Sequence, residues 1–380
     1  MRGVFFLYLK KLSLINFRNF LNEEAEFGNF INLFIGKNAQ GKTNLLESIY
    51  CCSFGKSFRT KRDKDLVNYN SSYYSIRAWV ESLEGSFEVK LTYDRNREAK
   101  EAYINGIKCK NLSQMIGKIK IVIFYPDHLF IVKGSPAARR KYLDGQMILG
   151  IPTYYHYFSR YQNILRNRNT LLKDVKNTDI WVWEEQLARY GAKIIIQRMK
   201  VVEILSRIVS EIYSCLTEGQ WVLKMEYKAS LKNASILMEE EEIKKAFLRE
   251  LEKNRDRDRK LGFTTVGPHR DDISFFLNGK PIRDFGSQGQ QRLAVLALKL
   301  AEAEFIKKNT GESPILLLDD VMSELDAEKR RLFFQMLSSS QAFITAADSG
   351  ILLDKFLKNV YLWEIIDGTI KKISRIREDL

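Results

Sequence analysis

Alternating and continuous apolar runs give both ends of the chain the pattern of an α/β fold. Residues 8–20 alternate apolar and polar positions, as an antiparallel strand does, and residues 23–30 form a second such run. Residues 31–35, which are apolar except for Asn32, and residues 315–319, which are apolar up to Asp319, are short runs typical of buried strands. Further strands are predicted at residues 75–80, 86–93, 102–104, 118–125, 273–277 and 342–345, with a closing hairpin over 359–374.

The middle of the chain has a helical pattern instead. A helix is predicted to start at Ser135 and Pro136 and to run to Leu149. Residues 153–260 keep helical periodicity, carry many charges and contain no proline. We therefore predict an α/β lobe built from residues 1–130 and 264–380, with residues 131–263 inserted as an all-helical second lobe. No sustained apolar heptads occur, so this insertion is not predicted to be a coiled-coil arm.

A phosphate-binding loop is predicted directly after the apolar run 31–35. That run leads into Gly36, four variable residues, then Gly41, Lys42 and Thr43, and a predicted helix over residues 44–53. Strand, glycine-rich turn, Lys-Thr pair and helix form the pattern of a P-loop, in which the lysine reaches the β- and γ-phosphates and the hydroxyl holds Mg²⁺. The predicted nucleotide-binding residues are Gly36, Lys37, Asn38, Ala39, Gln40, Gly41, Lys42, Thr43 and Asn44. The alternative is a glycine turn in another α/β fold.

Two acids and a second glycine-containing helix start extend this prediction. The apolar run 315–319 ends in Asp319, which is placed to hold Mg²⁺ together with Thr43, and Asp320 follows, where it is placed to orient or deprotonate a water. Lys42, Asp319 and Asp320 are therefore the predicted catalytic residues. Ser287, Gln288, Gly289 and Gln290 open a predicted helix, whose N-terminus is a second anion site. The alternative for the two acids is an ordinary strand end, and the alternative for Ser287 is a helix cap.

The net charge indicates the class of partner, and the cysteines indicate the cellular compartment. The formal net charge is +14 and the isoelectric point is about 9.4, which favours a polyanionic partner, nucleic acid before an anionic membrane. A generally basic, solvated surface is the alternative. The four cysteines have no metal-binding spacing, and we expect reduced core residues of an intracellular, cytoplasmic protein. No apolar run is long enough to span a membrane.

Taken together, these segments resemble the ABC-type ATPases of the SMC-like branch, and within that branch the RecF family. The resemblance covers nearly the whole chain and is carried by motifs in the expected order, at residues 9–19, 36–47, 55–60, 133–144, 267–272, 287–292 and 317–326. It implies an ATPase head that sandwiches ATP against a second copy. In that arrangement Ser287 contacts the γ-phosphate held by Lys42 of the other copy, and Ser323 and Asp326 belong to a loop across the same interface. Arg18 is implied as a phosphate or base-stacking contact; a strand-end surface arginine is the alternative.

The same resemblance implies what the protein does. Members of this family form ATP-dependent homodimers, bind double-stranded and gapped DNA, hydrolyse ATP slowly, and act with RecR and RecO to place RecA on single-stranded gaps. The candidate DNA contacts are Lys56, Arg59, Lys61, Arg62, Lys64, Arg139, Arg140 and Lys141. A solvated charged face is the alternative for both groups. No base-reading motif occurs, so contacts to the DNA backbone are expected.

Two departures from the wider ABC pattern affect the expected chemistry. Asp320 stands where many of these enzymes have Glu, and its shorter side chain predicts slow turnover. Thr345 follows the next strand, with no histidine nearby, and is expected to contact the γ-phosphate only weakly. Two rival functions remain open: a nucleotide-binding subunit of a membrane transporter, and a DNA-binding scaffold whose ATP site is only structural.

Overall fold

The chain folds into two units. The structure is a computed structural model that describes residues 7–173, 179–231, 234–321, 326–336, 340–347 and 360–376. Unit 1 comprises Met1–His128 with Ile306–Leu380, and unit 2 comprises Leu129–Phe305. Unit 2 is therefore larger than the predicted second lobe of residues 131–263, because it also takes in residues 264–305.

Fifteen strands and ten α-helices lie within the described residues. The strands are β1 (Tyr8–Phe17), β2 (Phe20–Glu26), β3 (Ile31–Ile35), β4 (Tyr73–Ser82), β5 (Gly85–Asp94), β6 (Ala99–Ile104), β7 (Ile107–Lys108), β8 (Ile121–Phe124), β9 (Leu223–Lys228), β10 (Asp272–Leu277), β11 (Lys280–Pro281), β12 (Ile315–Asp319), β13 (Ala342–Ala346), β14 (Val360–Ile366) and β15 (Thr369–Ile376). The helices are α1 (Lys42–Phe54), α2 (Phe130–Lys133), α3 (Pro136–Gly150), α4 (Tyr154–Leu171), α5 (Ile180–Leu216), α6 (Glu240–Lys253), α7 (Arg255–Leu261), α8 (Ile282–Phe285), α9 (Gln288–Thr310) and α10 (Ala327–Met336).

A mixed sheet in unit 1 brings the two predicted phosphate-site strands close together. Its order is β15-β14-β3-β13-β12-β8, with β14, β3, β13, β12 and β8 parallel and β15 antiparallel at one edge. The core strands are continuous apolar runs because parallel strands are covered on both faces. Only β13 separates β3 from β12, so the loop after β3 and the acid that ends β12 emerge at the same edge of the sheet.

An antiparallel sheet forms the rest of the unit 1 core. Its order is β2-β1-β4-β5-β6-β7. Along β4, Tyr74, Ile76, Ala78 and Val80 are buried and the residues between them are not, as the period of two predicts. The predicted strand at residues 23–30 is wrong in its bounds, because β2 begins at Phe20, directly after a tight turn in which Arg18 has a φ of 54°.

Helix α1 packs against this core. It begins at Lys42 and buries Leu45, Leu46 and Ile49 completely or almost so. Cys51 and Cys52 are also buried and free, and burial raises the pKa of the Cys52 thiol to about 12. The expectation of core cysteines is wrong for Cys215, which is exposed.

Unit 2 is not all-helical, so that prediction is corrected. Strand β9 lies inside the block predicted to be helical and pairs antiparallel with β10, which also pairs with β11. Leu223 and Met225 are buried while Lys224, Glu226 and Lys228 are exposed, a period-two pattern too short to stand out beside long charged helices. The charged end of that block, residues 239–260, forms two helices, α6 and α7, separated at Asn254.

Candidate nucleotide-binding site

The loop between β3 and α1 has the backbone shape of a P-loop. Gly36, Ala39 and Gly41 all have positive φ angles, of 150°, 66° and 118°. A Cβ atom at Gly41 would lie 2.6 Å from the Asn19 side-chain nitrogen, so glycine is required there by both backbone and space. This geometry leaves the N-terminal N–H groups of α1 at the mouth of the loop, where they favour an anion.

Lys42, the first residue of α1, lies over this loop. Its Nζ donates hydrogen bonds to the backbone carbonyls of Gly36 and Lys37, the latter at 3.0 Å. Partial burial lowers the pKa of the ammonium group, and the nearby carboxylates of Asp320 and Asp319 oppose that shift. The ammonium group of Lys42 is therefore held at the loop and close to both acids.

Thr43 and the acid at the end of β12 are in direct contact. Thr43 Oγ1 donates to Asp319 Oδ1 over 2.9 Å, although the two residues are 276 positions apart. Burial raises the pKa of Asp319, and the hydrogen bonds from Thr345 and Thr43 act against that rise. A hydroxyl and a carboxylate oxygen at this distance fit Mg²⁺, which prefers oxygen ligands of these types.

A cavity of about 460 Å³ opens above these residues in unit 1. It brings together eight of the predicted nucleotide-binding and catalytic residues, and Arg59, which was predicted as a DNA contact, also lines it. The described lining residues are Asn38, Ala39, Gly41, Lys42, Thr43, Asn44, Arg59, Pro126, Asp319, Asp320, Thr345 and Ala347. Arg59 Nη1 donates to Asn44 Oδ1 over 2.8 Å, which holds its charge at this cavity.

Thr345 lies closer to the centre of the site than the predicted weak contact with the γ-phosphate implied. Its hydroxyl donates to Asp319 Oδ1 over 2.9 Å and accepts the backbone N–H of Asp320 over 3.0 Å. Asp320 itself has a φ of 53°, which is uncommon for a residue with a side chain. The threonine thus connects both acids, a contact that spans two strands and has no local signal in the sequence.

Glu47 on α1 organises the residues around the cavity and was missed by sequence reasoning. It is fully buried and accepts two hydrogen bonds from Arg18, both of 2.9 Å. Ser57 Oγ also donates to it and accepts the N–H groups of Arg59 and Thr60. Through Ser57, Glu47 fixes the segment that carries Arg59.

Arg18 is a structural partner of Glu47, and its phosphate or base-stacking contact stays a prediction. Its remaining donor, Nη1, is bonded to the backbone carbonyl of Asp65 at 2.8 Å, and Arg18 is not among the described residues that line the cavity. The structure assigns it to pairing with buried Glu47. The sequence signal was only an acid within the predicted helix that follows the P-loop. Its burial, which requires a partner such as Arg18, is seen only in the structure.

Gln40 is fixed to the last hairpin of the chain and does not line the cavity. Its carbonyl oxygen accepts hydrogen bonds from Asn19 Nδ2 at 2.8 Å and from the Gly368 N–H at 3.1 Å. Its side-chain oxygen accepts the Asp367 N–H at 2.6 Å. Gly36 and Lys37 likewise meet Lys42 through their carbonyl groups. These predicted nucleotide-binding residues shape the loop through hydrogen bonds within the protein.

The first group of candidate DNA contacts, residues 56–64, forms a basic loop whose charge is partly neutralised within unit 1. Arg62 pairs with Asp65 at 3.0 Å, and Asp63 of the same loop pairs with Lys100. Lys56, Lys61 and Lys64 are exposed. Of the five predicted DNA contacts in this loop, Arg59 and Arg62 are thus already bound to carboxylate or amide groups.

In the second predicted DNA-contact group, which lies in unit 2, the prediction for Arg139 is corrected. Arg139 is buried and makes a bidentate ion pair with Asp272, with nitrogen–oxygen distances of 2.7 and 2.8 Å. Arg140 is half-buried and donates to the Asp271 carbonyl at 2.6 Å. Lys141 is exposed. Arg139 is therefore a structural residue because its guanidinium is enclosed by its own fold.

The predicted second anion site begins helix α9. Ser287 Oγ accepts the Gln290 N–H at 3.2 Å, while Gln290 Oε1 accepts the Ser287 N–H at 2.9 Å, which is a capping box. Ser287, Gln288 and Gly289 are exposed. Asp326 caps α10 and pairs with Lys329 at 2.5 Å, and Ser323 lies outside the described residues. The proposed contacts of these residues with a second copy remain predictions.

The described residues contain neither a candidate metal cluster nor a candidate membrane-spanning helix. No cluster of three or more potential His, Cys, Asp or Glu metal ligands occurs among them. None of the helices in the described part of the chain combines the length and apolar character needed to cross a bilayer.

Comparisons with known proteins show which family the chain is similar to. Residues 8–361 match the family described as the RecF/RecN/SMC N terminal domain. The DNA replication and repair protein RecF of Clostridium tetani is 42% identical over 361 residues, covering 93% of this chain and 96% of that protein. RecF of Alkaliphilus oremlandii is 40% identical over 355 residues, covering 92% and 95%.

Solved structures extend the comparison to three dimensions. A structure of the recombination mediator protein RecF with ATP in the RecFOR pathway has a TM-score of 0.90 and 36% identity, covering 97% of this chain and 100% of that one. An SMC head bound to the C-terminal winged-helix domain of ScpA has a TM-score of 0.58 at 16% identity and supports the fold alone. The fold is that of an ABC-type, SMC-like ATPase head.

Proposed function

Because this chain belongs to the RecF family of DNA replication and repair proteins, we propose that it is an ATP-dependent DNA-binding protein of recombinational gap repair and replication restart. The observation that carries the proposal is the contact between Thr43 and Asp319 beneath the P-loop cavity. It joins the two parts of an ATP site across most of the sequence. The solved RecF structure with ATP supports ATP as the ligand.

Different residues of the cavity bind ATP and act in its hydrolysis. The P-loop N–H groups and Lys42 bind phosphate oxygens, and Arg59 supplies a second positive charge at the same cavity. Thr43 and Asp319 would hold Mg²⁺, which neutralises phosphate charge when bound. Asp320 orients the attacking water or accepts its proton. We propose a weak, DNA-stimulated ATPase, because an aspartate reaches less far towards that water than a glutamate.

Assembly is the second part of the proposal. The exposed capping box at Ser287 presents a hydroxyl and helix N–H groups, which suit the γ-phosphate held by a second copy. Tyr213 donates to the Gln290 carbonyl at 3.2 Å and so steadies the start of α9. ATP would then drive homodimerisation on double-stranded or gapped DNA, and hydrolysis would release the dimer. RecR, with RecO and RecA acting later, are the proposed protein partners.

Solution mass measured by light scattering tests this proposal. The protein is compared without nucleotide, with ADP and with ATP, each with and without duplex DNA. We expect a dimer with ATP, tightened by DNA, and a monomer for Ser287→Arg under every condition, because arginine blocks the phosphate-facing helix start. Ser86→Arg, at an exposed position of β5 in unit 1, is a control for the added charge. A constant mass in all conditions would refute ATP-driven assembly.

A further inference from the structure

The segment 267–272 of unit 2 is built almost entirely into the interior. Gly267 has a φ of 123°, and a Cβ there would lie 2.5 Å from the Phe247 ring. The Pro268 carbonyl accepts a hydrogen bond from buried Arg198 at 2.6 Å. The remaining interior members are held by side chains from several helices and strands, namely His269 by Tyr161, Asp271 by Tyr227 and Ser230, and Asp272 by Arg139. Arg270 is the exposed member of the segment.

Arg270 is nevertheless held in one orientation. Its Nε and Nη2 both donate to the Thr264 carbonyl at 3.1 Å, and its guanidinium carbon lies 4.7 Å from the centroid of the Phe263 ring. Phe263 is 38% exposed and the adjacent Leu261 is 47% exposed. The result is a guanidinium fixed against an aromatic ring at the surface, which is unusual for a long, flexible side chain.

A buried ionic network holds the loop under Arg270 rigid. Arg168 is fully buried, pairs with Asp258 and Glu184 at 2.8 Å each, and donates to Thr264 Oγ1 at 2.8 Å. Asn169 Oδ1 accepts both the N–H and the hydroxyl of Thr264. Such a network is costly to bury and strongly destabilising to break, so Thr264 and the residues beside it have a fixed position.

Further positive residues lie on the two helices that adjoin the loop of this arginine, since α4 contacts Thr264 through Arg168 and Asn169, and α7 ends at Leu261. Helix α4 contains no Asp or Glu, and its solvent-exposed side carries Arg160 and Arg166. Lys173 follows that helix and lies 3.7 Å from the position of a Cβ at Gly262. Helix α7 ends in exposed Arg259 and Lys260. We define the Arg270 surface as these six residues: Arg160, Arg166, Lys173, Arg259, Lys260 and Arg270.

The charge of this surface is not cancelled by its described neighbours. Within the described ranges, none of its six residues takes part in an ion pair. The nearby acids Glu252 and Asp256 are exposed, whereas Asp258 is buried and bound to Arg168. Helix α6 of the same unit differs in charge from α4, because α6 begins with three consecutive glutamates.

We propose that the Arg270 surface binds the phosphodiester backbone of DNA. This inference rests on the proposed function and adds a contact in unit 2 to the basic loop of unit 1. Unpaired Lys and Arg residues bind phosphates and release counterions, and a guanidinium held on an aromatic ring offers a flat face on which an unpaired base can stack. The phosphate chemistry is the same in duplex and single-stranded DNA, so the test includes both.

The test compares charge reversals on two helices of unit 2 in the full-length protein with ATP. The variant Arg166→Glu/Lys173→Glu changes the Arg270 surface, and Lys245→Glu/Arg249→Glu makes the same change in charge on the exposed side of α6. Fluorescence anisotropy with a duplex and a single strand of equal length is recorded between about 50 and 200 mM salt. Melting temperature and circular dichroism establish that both variants are folded.

We expect the Arg270-surface variant to lose at least about tenfold in DNA affinity and to have a salt slope lower by about 2, since each lost phosphate contact removes about one unit. The α6 variant should stay close to wild type. Arg270→Lys keeps the charge but loses the fixed fork, and should weaken single-strand binding more than duplex binding if bases stack there.

The outcomes separate this inference from the proposed function. A loss with duplex alone or with single strand alone supports the surface and identifies its DNA form. Equal affinity of the two charge-reversed variants would overturn the inference and leave the proposed function standing. Unchanged DNA binding with lost binding to phosphatidylserine vesicles would also overturn it. If the wild-type protein bound no DNA with ATP, the proposed function itself would fail.

Discussion

Thr345 Oγ1 lies 2.9 Å from Asp319 Oδ1, and the same hydroxyl accepts the backbone N–H of the next residue, Asp320. One side chain at the end of β13 therefore fixes both the carboxylate proposed to hold Mg²⁺ and the backbone of the acid proposed to act on water. Residues that orient a metal ligand in this way commonly change metal affinity or activity by about 10–100-fold when they are replaced.

We expect Thr345→Val to lower the ATPase rate by about 10–100-fold, because the isosteric side chain cannot bond to Asp319 or Asp320. Thr345→Ser keeps the hydroxyl and should retain most activity. The measurement is steady-state ATP hydrolysis over a Mg²⁺ titration, with ATP binding followed separately. Equal rates for the valine and serine variants would show that the hydroxyl has no positioning role.

Asp320 is proposed to act on the water and not to bind ATP. Asp320→Asn should therefore reduce hydrolysis by about 10²–10⁴-fold while ATP binding persists. Light scattering should then find the ATP-bound dimer long after the wild-type dimer has dissociated. Asp320→Glu is the companion variant, and a faster rate than wild type would support side-chain length as the cause of slow turnover. Loss of ATP binding in Asp320→Asn would contradict this assignment.

The Asp319 carboxyl makes the site pH-dependent. Burial raises its pKa, so the folded protein binds its proton more tightly than the unfolded chain does. Its contribution to the free energy of unfolding is thus greatest at low pH and is lost as pH rises through the raised pKa. Without nucleotide, Asp319→Asn should melt at a higher temperature than wild type at pH 7, with the difference shrinking as pH falls through the raised pKa and vanishing below about 4. A lower melting temperature at pH 7 would contradict this reasoning.

Arg18 and Glu47 should behave as a structural pair. Arg18→Met leaves the fully buried Glu47 without its bidentate partner and should reduce the free energy of unfolding by about 3 kcal/mol. Arg18→Met/Glu47→Leu removes both charges and should recover much of that loss. Urea unfolding of the two single variants and the double variant measures the coupling. A raised KM for ATP with unchanged stability in Arg18→Met would instead favour the phosphate contact predicted from sequence.

Arg139 and Lys141 are close in sequence but should respond differently to substitution. Arg139→Ala removes a buried ion pair to Asp272 and should destabilise the protein by about 3–5 kcal/mol. Lys141→Ala changes an exposed side chain and should leave the free energy of unfolding within about 0.5 kcal/mol. Chemical unfolding and DNA affinity are measured for both. Normal stability with weakened DNA binding in Arg139→Ala would restore it as a DNA contact.

Local sequence signals located much of the fold and the centre of the site. The P-loop and the strand ending in Asp319 were predicted correctly because a glycine pattern and a continuous apolar run identify each one. Three hairpin turns of the Asn-Gly or Asp-Gly type, at Asn105-Gly106, Asn278-Gly279 and Asp367-Gly368, have positive φ at both positions, since these pairs tolerate that backbone.

What the sequence did not reveal are partners that are distant along the chain. Glu47 with Arg18, and Thr345 with Asp319, meet only after the sheets have formed. Burial also reversed the expected role of Arg139, because a basic run looks the same whether its side chains meet solvent or a buried acid. Strand β9 was missed because six residues of alternation are a weak signal inside a long charged segment.

Strand β3 pairs with β13 and β14, both of which lie more than 300 residues later in the sequence. At about 5–20 residues per second, a ribosome needs on the order of 15–60 s to make that intervening chain. During this time the P-loop sequence exists without its neighbouring strands, without Asp319, and without the Asp367-Gly368 turn that binds Gln40. ATP affinity should therefore arise late in synthesis, and a nascent chain would not compete for nucleotide until its sheet is nearly complete.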